Sequence, residues 1–300
     1  MKTGWPELNY TASKNTLETL HLWSQMLGKL KIKTQPWVNH SWHVTLVVTP
    51  TGLTTGDLPA LNQHFQVDLN LIQHQLNIKT SNGQRRKLSL GNMTVAEFYK
   101  KLMHALADLD IHVPIYKVPC ELENPIPFDK DQTHRTYNPE QASALHHALL
   151  QAQKVMKQFR AEFRGKCSPV HFFWGSFDLA VSRFSGRTAP KHPGGVPGLP
   201  DWIAQEAYSH EVSSCGFWPG NEALPEAAFY SYIYPEPEGY RTASIKPEAA
   251  YFHDTLGEFI LPYEAVRSAE DPDKTLLDFF HSTYNAATDL AKWDRQALEV

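Results

Sequence analysis

The residues best suited to chemistry concentrate between Pro169 and Gly220. This segment holds carboxylates, imidazoles, guanidiniums and indoles on runs that otherwise predict buried strands: His171, Trp174, Asp178, Arg183, Arg187, His210, Glu211 and Trp218. Burying such groups without partners is costly, so a folded chain collects them mainly where they pair or act. The density therefore predicts a functional site in this part of the chain.

A predicted strand over residues 170–184 carries the first candidate catalytic group, Asp178. Strict alternation along this strand places Trp174, Ser176 and Asp178 on one face. An indole, a hydroxyl and a carboxylate on one face are typical of a pocket wall. The alternative is that Asp178 caps a loop or pairs with Arg183, while the indole is core.

A second predicted strand, residues 206–217, carries the other two candidate catalytic residues, His210 and Glu211. These neighbours point to opposite faces of a regular strand, so at most one belongs to a given site. In the enzymatic interpretation Asp178, Glu211 or Glu258 acts as acid or base, and an imidazole serves as a proton shuttle.

The candidate ligand-binding residues come from both halves of the chain: Trp174, Ser176, Arg183, Trp218, His21 and Trp42. On the first predicted helix His21, Gln25 and Lys29 share one face. That face is either the solvated one or a second wall of the same cleft. The Pro/Gly-rich loop at residues 187–200 is either a solvated loop or a shaped wall.

Three histidines could ligate a transition metal together with nearby carboxylates: His171, His210 and His253. Imidazole and carboxylate groups suit such ions. Their spacing matches no ligand signature such as HExxH, so a satisfied core role for these histidines is the alternative.

Composition narrows the class of protein. The 300 residues have a net charge of -4 and no long Lys/Arg run, which argues against nucleic acid as the main partner. No stretch approaches 20 apolar residues, so no membrane span is predicted. The three cysteines, Cys120, Cys167 and Cys215, are far apart and indicate free thiols. We expect a cytoplasmic protein with a small-molecule ligand.

Several local signals predict elements. Residues 13–27 predict a helix ending at Gly28, and residues 42–49 predict a strand. The dipeptide at residues 82–83 predicts a hairpin, because Asn-Gly favours tight turns between strands. A helix is expected to begin at Pro139 with Asn138 as its N-cap.

The order of elements predicts an α+β fold with mainly antiparallel sheets. Residues 1–112 form a first unit and residues 139–300 a second, packed together around a proline-rich connector at residues 113–138. Each unit reads as helix, several strands and helix, which indicates an internal duplication. A cleft between two such units is a natural place for a ligand.

Several motifs together resemble the bacterial family of unknown function DUF5996. The resemblance covers nearly the whole chain and rests on residues 20–25, 28–29, 39–43, 171–180, 206–214, 216–220, 230–237 and 257–263. It implies a soluble bacterial protein and transfers no catalytic or binding residue.

Two function classes stay open at this point. The first is an enzyme acting on a small molecule in a cleft lined by aromatic, histidine and carboxylate side chains. The second is a non-catalytic protein that binds a small molecule or peptide with the same groups. A raised carboxyl pKa in the cleft favours the enzyme.

Overall fold

The structure, a computed structural model, describes residues 4–300. The helices in this range are α1 (Tyr10–Thr34), α2 (Val95–Ala107), α3 (Pro139–Ala161), α4 (Asp201–Ala207), α5 (Tyr263–Arg267), α6 (Pro272–Leu290) and α7 (Arg295–Leu298). The first group of strands is β1 (Val47–Thr49), β2 (Gly52–Thr54), β3 (Leu58–Pro59), β4 (His64–Asn70), β5 (Gln75–Thr80) and β6 (Arg85–Ser89). The second is β7 (His171–Phe173), β8 (Asp178–Thr188), β9 (His210–Trp218), β10 (Ala228–Tyr234), β11 (Tyr251–His253) and β12 (Glu258–Pro262).

The strands form two antiparallel sheets, which confirms the α+β class. In the first sheet the order is β1-β2-β4-β5-β6, with β3 against β4. In the second it is β11-β12-β10-β9-β8-β7. An internal duplication is not confirmed by this arrangement and stays a prediction, as does the division of the chain into two units.

Local capping and turn signals are read correctly from sequence. The Asn138 side chain accepts hydrogen bonds from the backbone N–H groups of Glu140 and Gln141 at the start of α3. Between β5 and β6 the chain reverses at Gly83, whose φ of 86° is one that glycine adopts without strain. These signals act within a few residues, so sequence alone is enough to find them.

The prediction that the first helix ends at Gly28 is wrong. α1 continues to Thr34, and its C-cap is Gln35. A Cβ atom at Gly28 would overlap the indole of Trp174. The glycine therefore allows a close approach between α1 and the second sheet instead of ending the helix.

Three predicted strands are shorter than expected. The run at residues 170–184 is a hairpin of β7 and β8 with a turn at residues 174–177, so Trp174 and Ser176 lie in the turn. The first part of the 206–217 run belongs to α4, and only β9 is strand. Trp42 precedes β1 and lies outside it. Aromatic and β-branched residues around a tight turn mimic one continuous strand.

The two sheets meet at their edges. The backbones of Leu46 and Phe172 exchange hydrogen bonds of 2.9 Å in both directions, which joins the edge of β1 to β7. One continuous hydrophobic cluster includes residues of both sheets and of α1, α2, α3 and α6. Within residues 4–300, no helix has the length and apolarity to cross a bilayer.

Candidate functional site

The outer face of the second sheet, opposite the face that packs on α3 and α6, collects polar side chains from three strands. Gly216 pairs with Tyr230, and the register continued along β10 and β12 sets Tyr232 opposite Glu258. Asp178 is the first residue of β8, and its side chain lies on the same face of the sheet. A Cβ at Gly216 would overlap the Tyr230 ring, so the glycine leaves room for the phenol. We call this surface the Asp178 face.

Asp178 is buried and engaged by two hydroxyl groups. Its side chain is 7% exposed. Ser176 Oγ donates to one carboxylate oxygen over 2.5 Å, and Tyr230 Oη donates to the other. Burial raises the pKa of Asp178, while these two hydrogen bonds oppose that rise by favouring the carboxylate. The alternative of an Asp178–Arg183 pair is excluded, because Arg183 lies on the other face.

Two further carboxyls, Glu121 and Glu258, complete an acidic cluster with Asp178. Burial, the larger cause, and the negative charge of Asp178 together raise the pKa of Glu121 to about 7. The same two causes, in the same order, raise the pKa of Glu258 to about 8. Among residues 4–300, neither glutamate forms an ion pair or a side-chain hydrogen bond. The pKa values of the two glutamates therefore lie near neutral pH.

Glu121 comes from the proline-rich connector, which backbone contacts hold over the Asp178 face. Its N–H donates to the carbonyl of Pro197 in the Pro/Gly-rich loop over 2.9 Å. The preceding residue, Cys120, is held to α1 because Gln25 bonds both its N–H and its carbonyl, at 3.0 and 2.9 Å. A Cβ at Gly175 would overlap the Glu121 carboxyl. Only a glycine in the β7–β8 turn allows this approach.

Tyrosines form the other side of the cluster. The Tyr208 and Tyr232 hydroxyls are 2.8 Å apart, and His192 of the Pro/Gly-rich loop stacks on Tyr208 with ring centroids 4.6 Å apart. Burial raises the pKa of Tyr208 to about 12, so this phenol keeps its proton. His192 thus brings part of the loop against the tyrosines, while most residues of the loop are exposed, so both interpretations of its sequence stay open.

His21 of α1 contacts the β7–β8 turn and holds it in place. Its Nε2 lies 2.8 Å from the Gly175 carbonyl oxygen, and its ring stacks on Phe177 at 5.0 Å. Burial lowers the pKa of His21 to about 4, so the neutral ring donates its Nε2 proton to this carbonyl. Trp174 also serves the turn, since its Nε1 donates to the Val44 carbonyl over 2.7 Å. Both residues position the turn that carries Ser176.

Two other candidates on β8 and β9 lie away from the acidic cluster. Arg183 is 2% exposed on the inner face, with its guanidinium carbon 3.5 Å from the ring centroid of Phe159. Glu211 also lies on the inner face and forms an ion pair with Arg187 at 2.6 Å. Trp218 is the exception, because it ends β9 on the outer face and packs against the same small hydrophobic cluster as Tyr230.

His210 and Trp42 belong to a different cluster. His210 begins β9 and Trp218 ends it, which separates the two by about 26 Å at roughly 3.3 Å per residue. The His210 ring lies 6.1 Å from that of His40, and Trp42 lies 5.4 Å from His40. Asp178, His210 and Glu211 are therefore not brought together.

The three candidate metal ligands do not converge either. Within the described 4–300 range, no group of three or more His, Cys, Asp or Glu side chains is arranged to hold a metal ion. His171 is buried, and burial lowers its pKa to about 3. His253 lies on β11, with its Nδ1 accepting from the Leu256 N–H at 3.3 Å.

Sequence reasoning singled out Asp178, Ser176 and Trp218 but not Glu121, Tyr208, Tyr230 or Tyr232. The spacing of Tyr230 and Tyr232 places both on one face of a strand, so alternation could have found them. Glu121 has no such signal, because it lies in a connector without periodicity.

The fold and this site define a two-sheet α+β protein with an acidic, tyrosine-lined face. The chain belongs to the family of unknown function DUF5996, whose model matches residues 5–300. Neither the curated proteins nor the solved structures contain a match to this chain.

Proposed function

We propose that this protein is an enzyme that acts on a small molecule by general acid–base chemistry at the Asp178 face. One observation carries the proposal: the acidic cluster holds two glutamates whose pKa values are about 7 and about 8, and within residues 4–300 neither is paired with a cation. General acids and bases work best when their pKa lies near the working pH. A purely structural carboxylate is normally paired with a cation instead.

The three carboxyls lie in different environments, and we assign each of them a different role in the reaction on that basis. Glu258 is mainly protonated at neutral pH and is the proposed acid. Glu121, with a pKa of about 7, is the proposed base. Burial raises the pKa of Asp178, and its two hydroxyl donors oppose that rise by favouring the carboxylate. The negative charge of the carboxylate in turn raises the pKa of both glutamates by repulsion. Pairs of titratable groups with separated pKa values are the usual signature of an acid and a base.

The walls of the site limit the substrate to a small molecule. Tyr208, Tyr230, Tyr232 and Trp218 supply flat aromatic surface, and the phenol hydroxyls supply hydrogen-bond donors and acceptors. Such a mixture suits a compact molecule with polar groups around an apolar body. A backbone hydrogen bond from Glu121 to Pro197 ties the connector to the Pro/Gly-rich loop beside this face.

The three cysteines support a reducing compartment for this activity. Cys120, Cys167 and Cys215 are free thiols. Chains that work outside the cytoplasm more often pair their cysteines. We therefore place the proposed enzyme in the bacterial cytoplasm.

The alternative is a non-catalytic binding protein that uses the same face. It is favoured by the hydroxyl network, since Asp178 accepts from Ser176 and Tyr230, and Tyr208 pairs with Tyr232. A network in which hydroxyls are already satisfied can orient a ligand without transferring a proton.

The test screens a library of small polar and aromatic molecules for ligand-induced thermal shifts, then follows each hit by mass spectrometry for conversion. We expect a hit whose affinity falls about tenfold or more in Asp178→Asn and is unchanged in the matched control Glu211→Gln. Conversion should fall about a hundredfold or more in Glu258→Gln while binding is retained, as is typical when a general acid is lost.

Two outcomes would contradict the enzyme. A ligand that binds at the Asp178 face and is never converted supports the binding protein instead. Hits that bind wild type, Asp178→Asn and Glu258→Gln equally would remove the Asp178 face from the function altogether.

A further inference from the structure

Lys29 on α1 is a buried amine with no polar partner. The side chain is 6% exposed. Its Nζ lies 5.4 Å from the ring centroid of Tyr116, 5.9 Å from Trp174 and 6.0 Å from Phe128. Within residues 4–300 it forms neither an ion pair nor a hydrogen bond. The amine is therefore surrounded by three aromatic rings, which we call the Lys29 cage.

Within residues 4–300 no carboxylate forms an ion pair with the Lys29 amine. The titratable group whose charge affects the pKa of Lys29 is the Cys120 thiol, and burial raises the pKa of that thiol to about 11, so it stays neutral. The neighbouring amide of Gln25 is already bonded to the Cys120 backbone. Burial lowers the pKa of Lys29, because three rings replace water around the charge only in part.

A lysine amine desolvated in an apolar pocket is a good nucleophile, because the neutral form carries a free electron pair. Aromatic rings on several sides also give a flat, apolar molecule a surface on which to stack. The two properties together define which chemistry the cage can perform.

We propose that Lys29 is a covalent site for carbonyl compounds, and that the cage takes a small molecule with an aldehyde or ketone on an aromatic or apolar body. The Nζ electron pair attacks the carbonyl carbon to form a C–N bond. The nitrogen then loses its protons and the carbonyl oxygen leaves as water, which gives a neutral imine, so no oxidant or reductant is needed. This site does not depend on the proposed chemistry of the Asp178 face.

The test uses benzaldehyde as the probe, with sodium cyanoborohydride added to supply the hydride that reduces the imine to a stable secondary amine. Folded wild-type protein is labelled at neutral pH for increasing times, and peptide mass spectrometry gives the labelling rate of each lysine. The matched comparison is Lys33, which is exposed near the end of the same helix.

We expect Lys29 to be labelled about tenfold faster than Lys33 or more, and the excess to disappear in urea, where the cage is lost. The variant Lys29→Met should lose this label while Lys33→Met keeps it. Labelling of Lys29 at or below the rate of Lys33 in the folded protein would overturn the proposal. It would show an ammonium group that only packs against the rings. Because this measurement uses wild-type protein, it holds even if Lys29→Met fails to fold.

Discussion

Arg183 and Asp178 lie five residues apart on β8, and they point to opposite faces of the second sheet. On the inner face Arg183 packs between the rings of Phe159 and Tyr284, with its guanidinium carbon 3.5 and 4.5 Å from their centroids, and donates to the Phe159 carbonyl. On the outer face Asp178 accepts hydrogen bonds from the hydroxyl groups of Ser176 and Tyr230, and its charge acts on two further carboxyls.

In our proposal this difference separates a charge that stabilises the fold from a charge that acts on a substrate. The fixed aromatic and carbonyl contacts of Arg183 hold two helices against the sheet. In the acidic cluster, burial and the charge of Asp178 disfavour ionisation of the two glutamates. Such unfavourable arrangements are frequent at functional sites, which is why we propose one here. From sequence both residues are buried charges on one strand, so their partners, not their burial, distinguish them.

The largest expected effect is a loss of stability on the inner face. Arg183→Ala removes the packing on Phe159 and Tyr284 and the donor to the Phe159 carbonyl, so the free energy of unfolding should fall by about 3–5 kcal/mol. Urea denaturation followed by far-UV circular dichroism measures it. Arg187→Ala, on the same strand but exposed, is the control and should cost about 1 kcal/mol or less. Equal losses in the two variants would show that the buried contacts of Arg183 contribute no more to stability than the exposed contacts of Arg187.

A smaller effect of opposite sign is expected on the outer face. The folded pKa of Glu258, about 8, exceeds its usual value of about 4.3. The favourable contribution of the protonated group is complete below about pH 4.3 and is lost as the pH rises through about 8. Glu258→Gln cannot ionise, so it should melt at a higher temperature than wild type above pH 8, by about 2–4 °C for each kcal/mol of repulsion removed.

The control for this measurement is Glu226→Gln, which changes an exposed carboxyl two residues before β10. Its melting temperature should follow that of wild type at every pH. If the difference between Glu258→Gln and wild type is the same at pH 5 and pH 9, Glu258 is not destabilised by its neighbours.

The sequence predicts those parts of the fold that depend on neighbouring residues. Asn138 followed by Pro139, and Asn82 followed by Gly83, place a helix start and a hairpin correctly because the groups involved are adjacent. The α+β class follows from the same signals. The turn at residues 174–177 is missed, because its aromatic residues also fit a strand.

The candidate site is predicted only in part for a similar reason. Asp178 and Ser176 are neighbours in sequence, so their shared site is found. Glu121 reaches them only because Gln25 and Pro197 hold the connector in place, and both lie more than 70 residues from it in sequence. The pattern of hydrophobic residues along the sequence does not predict contacts between such distant residues, so only the folded structure shows them.

The most direct test of the central claim is a titration of the glutamate carboxyls by carbon-13 NMR. Protein labelled at the glutamate carboxyl carbon is followed from pH 4 to pH 10, and Glu121→Gln and Glu258→Gln assign the two signals. We expect the carboxyls of Glu121 and Glu258 to titrate with midpoints at about pH 7 and about pH 8, and each midpoint to be lower in Asp178→Asn. Midpoints near the usual value of about 4.3 for both would contradict it, because the acidic cluster would then be an ordinary solvated surface.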